Sequence, residues 1–98
     1  MLVYQNNFDM ALYLLSYDLR KDRDYDTLYA ELDNFNAVRV LESCWCFKRY
    51  NTNAEGLRNY FSKFIDSDDG LWVSEVAEDK NGYYQWAGRN LDGDPNKL

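Results

Sequence analysis

A chain of 98 residues makes one domain with a single hydrophobic core. Its formal charge is −6 and it has no histidine, which excludes imidazole metal sites and Ser-His or Cys-His catalysis. Hydrophobic residues at 46% and aromatics at 17% exclude disorder, and the acidity argues against indiscriminate binding to nucleic acid, which relies on Lys and Arg neutralising phosphates.

Leu12–Leu19 is the strongest strand signal. Alternation sends Leu12, Leu14 and Ser16 to one face and Tyr13, Leu15 and Tyr17 to the other, so both faces need cover. Five charged residues, Arg20-Lys21-Asp22-Arg23-Asp24, follow at once. Asp18 therefore stands where a buried strand emerges into solvent, a place suited to chemistry or to capping a turn. Residues 1–9 before Met10 read as an N-terminal extension, residues 10–89 as the domain and residues 90–98 as a flexible polar tail.

Tyr25, Leu28, Leu32 and Phe35 recur at helical spacing, and Asp22, Asp24 and Asp26 favour a helix N-terminus, predicting a helix over 24–35. Ala37–Leu41 predicts a short second strand. After Glu42-Ser43, Cys44–Tyr50 resumes as either one bent strand or a tight pair with it. Thr52 followed three residues later by Glu55 fits a capping box, and Leu57, Tyr60, Phe61, Phe64 and Ile65 form the stripe of a second helix. Leu71–Val76 is a further strand, and Tyr83–Trp86 an edge strand or helical turn.

The order strand, helix, strand, strand, helix, strand specifies an α+β, ferredoxin-like (βαββαβ) single domain, an antiparallel sheet with both helices on one face. The other face is then bare and aromatic, and a homodimer is expected to cover it. Cys44 and Cys46, two apart on a strand, read as reduced thiols rather than a disulfide. With no signal peptide and no apolar run of membrane-spanning length, a cytoplasmic protein is expected.

Three stretches, Met10–Leu19 (Met-Ala-Leu-Tyr-Leu-Leu-Ser-Tyr-Asp-Leu), Leu41–Phe47 (Leu-Glu-Ser-Cys-Trp-Cys-Phe) and Asp68–Val73 (Asp-Asp-Gly-Leu-Trp-Val), together resemble the CRISPR-associated protein two family, especially its stand-alone relatives labelled SinR-like. The resemblance covers residues 10–76. It implies a ferredoxin-like homodimer, antiviral defence, and cleavage of RNA or DNA with a divalent metal, Mg²⁺, held by the acid that closes the first strand in each protomer. On this chain it makes Asp18 the metal-binding and catalytic residue, with Tyr17 beside it and Ser43 in support. The sequence departs from the family in its acidity and in an aromatic, Gly-containing segment where a short C-terminal strand is usual.

Each sharp reading has a plainer rival. One carboxylate cannot hold Mg²⁺ alone, and Asp18 equally well caps a turn or pairs with Arg20. Arg20, Lys21 and Arg23 are placed to touch phosphate, or they are a solvated turn. Asp66, Asp68 and Asp69 miss the spacing of a calcium loop and read as a helix stop. Trp45, Trp72, Tyr83, Tyr84 and Trp86 are rings for stacking on bases or for packing. The alternative function is a non-catalytic acidic interaction protein, such as a phage-encoded inhibitor that mimics nucleic acid towards a protein of a bacterial defence system.

Overall fold

The computed structural model describes residues 10–21 and 24–98. The N-terminal extension at 1–9 and the basic residue Arg23 lie outside the described residues. β1 (Ala11–Asp18), α1 (Asp26–Asn34), β2 (Val38–Leu41), β3 (Cys44–Arg49), α2 (Ala54–Phe61) and β4 (Gly70–Val76) follow in chain order. The four strands form one antiparallel sheet in the order β2-β3-β1-β4. β1 lies inside the sheet, with Leu14 opposite both Cys46 of β3 and Ser74 of β4.

The alternation in β1 builds two apolar layers. Tyr13, Leu15 and Tyr17 join Trp45 and Phe47 from β3, Leu28 and Leu32 from α1, and Leu57 and Phe61 from α2. Full burial of such side chains is worth about 1.5–3 kcal/mol each, so this layer dominates stability. Both helices therefore pack on the same side of the sheet.

The helix ends have local causes. Just beyond the C-cap of α1, Asn36 turns the chain away with a φ of 56° that suits the short polar side chain of Asn, and Asn36 N–H donates to the Asp33 carbonyl at 2.9 Å. The capping box at Thr52 is corrected by one residue: Asn53 is the N-cap, and its side-chain oxygen accepts from Gly56 N–H at 2.8 Å. Asn satisfies an orphan amide at least as well as Thr, so it takes the position. Glu42-Ser43 is a tight turn between β2 and β3, resolving the bent strand or tight pair into the pair. Residues 77–85 form a turn closed by Asp79 N–H to the Tyr83 carbonyl and Gln85 N–H to the Ala77 carbonyl, both at 2.8 Å.

The second face of the sheet was expected to be bare, and over part of its area it is not. Leu12, Val40 and Cys46 are buried there beneath Tyr84, Trp86 and Leu98. Residues 90–98 run along this face: Asp92 N–H donates to the Val40 carbonyl at 2.9 Å, Lys48 Nζ donates to the Leu98 carbonyl at 3.2 Å, and Pro95 is buried. The polar composition of 90–98 conceals three apolar anchors, Leu91, Pro95 and Leu98, too widely spaced to show a period. Trp72, opposite Ser16 on the same face, remains 67% exposed. No helix among the described residues is long and apolar enough to cross a membrane.

Candidate functional site

Where β1 leaves the sheet it meets the β2–β3 turn. Tyr17 N–H donates to the Ser43 carbonyl at 3.1 Å, extending the pairing of β1 with β3 by one step. A cleft of about 240 Å³ opens there, with Tyr17, Asp18 and Ser43 on its walls together with Tyr29, Arg39 and Glu42. The three residues singled out in the sequence as catalytic are thus brought together.

Their environments differ. Tyr17 is buried, and its hydroxyl oxygen accepts from Trp45 Nε1 at 3.1 Å and from Arg39 Nη2 at 3.4 Å while donating to the Glu42 carbonyl at 3.3 Å. Burial, more than any neighbour, pushes its phenol above the usual value. A neutral phenol tied three ways supports the turn. Ser43 is half-buried and contributes its carbonyl to β1.

Asp18 is exposed, and its Oδ2 accepts from Arg20 Nε at 3.1 Å. An ion pair this open to solvent is worth about 0–1 kcal/mol, so the carboxylate is readily released to another partner. Arg20 Nη1 donates to the Asp68 carbonyl at 2.9 Å, Arg20 N–H donates to Asp69 Oδ1 at 2.7 Å, and Lys21 Nζ pairs with Asp68 Oδ2 at 2.9 Å. The basic turn after β1 is therefore folded against the acidic turn before β4. Asp69 braces that acidic turn: its Oδ2 accepts from Tyr25 Oη at 2.9 Å and from Asp66 N–H at 2.8 Å.

Two groups of the cleft were not selected as site residues. Arg39 Nε and Nη2 donate to the Glu42 carbonyl at 2.9 and 2.6 Å. Its guanidinium lies 5.4 Å from the Tyr29 ring centroid and 5.2 Å from that of Trp45, a cation–π arrangement. Arg39 makes no ion pair among the described residues. The only sequence signal for it was a charge inside the otherwise apolar run Val38–Leu41. Glu42 sat in a two-residue interruption and carried no signal beyond its turn position.

Among the described residues, no three Cys, Asp or Glu side chains are grouped to hold a metal ion. The Asp18 carboxylate of one chain would supply one of the roughly six oxygens that Mg²⁺ takes, the rest coming from a further carboxylate, waters and substrate phosphate. No family model matches the chain, and no solved structure matches it. Trp45 is a core ring, whereas Trp72 and Tyr83, at 67% and 71% exposure, are the rings open to a partner.

Proposed function

We propose that this is a ferredoxin-like protein of the CRISPR-associated protein two type, acting on nucleic acid as a homodimer through the cleft at the end of β1. The βαββαβ element order and the placing of both helices on one side are compatible with that fold. The observation that carries the reading is the meeting of Tyr17, Asp18 and Ser43 in one solvent-open cleft beside Arg39. The chemistry is phosphodiester hydrolysis. In it Arg39 neutralises the phosphate, Asp18 holds the attacking water, and Tyr17 with Ser43 keeps the strand end and turn in register. With no histidine in the chain, a carboxylate is the base at hand. Asp18 of each copy would be the residue to hold a divalent cation, which would supply further charge neutralisation on the phosphoryl group. The part of the second face left open around Trp72 is next to Asp18, since Ser16 pairs with Trp72 and Asp18 with Gly70, so a second copy docking there brings the two acids near each other.

Purified protein incubated with labelled single-stranded RNA and duplex DNA, with Mg²⁺ or Mn²⁺, tests the reading beside Asp18→Ala. Metal-dependent cleavage that is lost in Asp18→Ala is expected. Cleavage surviving the substitution, or a monomer mass by light scattering at micromolar concentration, overturns it.

One observation favours a second reading. Arg20 and Lys21, the cations that follow Asp18 in the chain, each pair with an acid of the same protein. An acidic interaction protein, occupying a basic groove of a defence-system partner as nucleic acid would, needs no free cations there. It predicts no cleavage, no binding to nucleic acid at low salt, and salt-sensitive binding to the basic protein.

A further inference from the structure

A second, separate cavity lies on the opposite side of the sheet from the helices. It has a volume of about 230 Å³, with a floor from β1, β2, β3 and β4, including Leu12, Leu14, Val40 and Val76, and a cover from residues 86–95. The cover is fastened at both sides of the cavity. Asp92 is bonded to β2 through the Val40 carbonyl, Leu98 is bonded to Lys48 of β3, and Lys48 Nζ also lies 5.4 Å from the Tyr84 ring centroid. Gly93 approaches β2 so closely that a Cβ would sit 2.5 Å from Val38 Cγ1 and 2.7 Å from the Arg39 carbonyl oxygen. The space beneath therefore persists although its roof is pinned down.

The cavity is partly open to solvent, so its apolar lining faces water that an apolar ligand would displace. An apolar cavity of about 150 Å³ already admits benzene. The present one is larger, and it has one polar feature of consequence at its rim. Arg89 contributes to the lining, is exposed, and makes no hydrogen bond or ion pair among the described residues. Among the residues lining the cavity, Arg89 is the one with a charged side chain. Cys46, in the lining, adds no charge to the floor at neutral pH, and burial pushes its thiol further up, to about 11.

We propose that this cavity is a binding site for a small apolar monocarboxylate, with the hydrocarbon under the 86–95 cover and the carboxylate on Arg89. The volume admits a chain of roughly eight carbons, scaled from the benzene-sized cavity. The carboxylate meets the planar donor fork of the guanidinium, the geometry in which Arg pairs most strongly with such a group. The site is separate from the cleft at Asp18 and independent of the nuclease reading.

Octanoate, with octanol as the neutral analogue, tests the assignment by titration followed in amide and methyl NMR spectra of the whole chain. Octanoate at millimolar concentration is expected to shift signals of Leu12, Leu14, Val40, Val76 and the 86–91 segment together, leaving the helix side unmoved. Arg89→Gln, at an exposed position that leaves the core intact, is expected to weaken octanoate by about tenfold or more, the size of one charge-assisted contact, while octanol binding stays the same. Leu14→Trp, which narrows the cavity, is expected to weaken both. No shifts with wild-type protein, or equal octanoate affinity in wild type and Arg89→Gln, overturns the proposal.

Discussion

Trp45 donates its indole N–H to the Tyr17 hydroxyl at 3.1 Å in a layer where both residues are less than one-tenth exposed. That bond ties β3 to β1 at the point where the candidate cleft begins, and it leaves the buried indole nitrogen satisfied. Tyr17→Phe keeps the ring and strands the indole donor. A buried donor left unpaired costs about 1–3 kcal/mol, so a loss of that size in denaturant unfolding is expected. In the double variant Tyr17→Phe/Trp45→Phe the loss should fall short of the two single losses added together, because the stranded donor is gone. A loss below about 0.5 kcal/mol in the single variant would show that the hydroxyl does not hold the turn.

Asp18 and Asp69 both meet Arg20, and the structure makes them unequal. Asp18 is an exposed partner of the Arg20 side chain, whereas Asp69 takes the Arg20 backbone N–H, the Asp66 N–H and the Tyr25 hydroxyl. Asp18→Asn is therefore expected to change stability by no more than about 1 kcal/mol, and by less at 1 M salt. Asp69→Ala frees three donors, two of them backbone, and is expected to cost about 1–3 kcal/mol with little salt dependence. Urea melts of the two variants decide it, and an Asp18→Asn loss equal to that of Asp69→Ala would place Asp18 in the fold's support rather than free at the cleft.

How much of this was legible follows from the range over which each residue acts. The two faces of β1 could be read from Tyr13, Leu15 and Tyr17 against Leu12, Leu14 and Ser16, because alternation is a property of the strand itself. The same holds for Trp45 and Phe47 against Cys44 and Cys46, and for the stripe of α2. Asp18, Tyr17 and Ser43 were grouped through the family resemblance alone, since Ser43 is far from the other two in sequence. Illegible were contacts made across the chain. Nothing local says that Lys21 will find Asp68, that Arg39 will lie over Trp45, or that Asp92 will bond to Val40. The covered second face belongs to this class: its cover is an irregular polar segment, and irregular segments carry no period from which a contact can be read.

Gly93 tests whether that cover is held as tightly as its contacts imply. Its φ is not in the left-handed region, so the demand for glycine comes from proximity alone. In Gly93→Ala the new methyl meets the Val38 side chain and the backbone of Arg39, an overpacking expected to cost about 1–3 kcal/mol. The helix-side layer does not touch this point, so the segment is expected to lift before the domain unfolds. Amide exchange at Asp92, whose N–H is bonded to Val40, should accelerate strongly while Leu15 and Phe47 keep their protection. Unchanged exchange at Asp92 would mean that the segment is not pinned through β2.

Cys46 sets a pH dependence of its own. It is 5% exposed among Leu12 and Val40, and burial first, then the neighbouring Cys44, raises its thiol from 9.0 to about 11. The folded protein thus keeps a proton that the unfolded chain releases near the ordinary thiol value. Between those two values the unfolded state binds fewer protons, so unfolding becomes easier as pH rises from about 9 to about 11 and the thiol contributes no slope below that window. The raised phenols of Tyr13, Tyr17 and Tyr84 act in the same direction from about pH 10 upward and overlap this window, which is why the thiol must be isolated by difference. Cys46→Val keeps an apolar side chain of similar size, and subtracting its stability-versus-pH curve from that of the wild type should leave a fall confined to this window. Alkylation supplies an independent reading, since only the thiolate attacks iodoacetamide: at pH 8 the half-exposed Cys44 should react well before Cys46. Equal alkylation rates, or superimposable pH curves for wild type and Cys46→Val, would show that the second face of the sheet is open to solvent at β3.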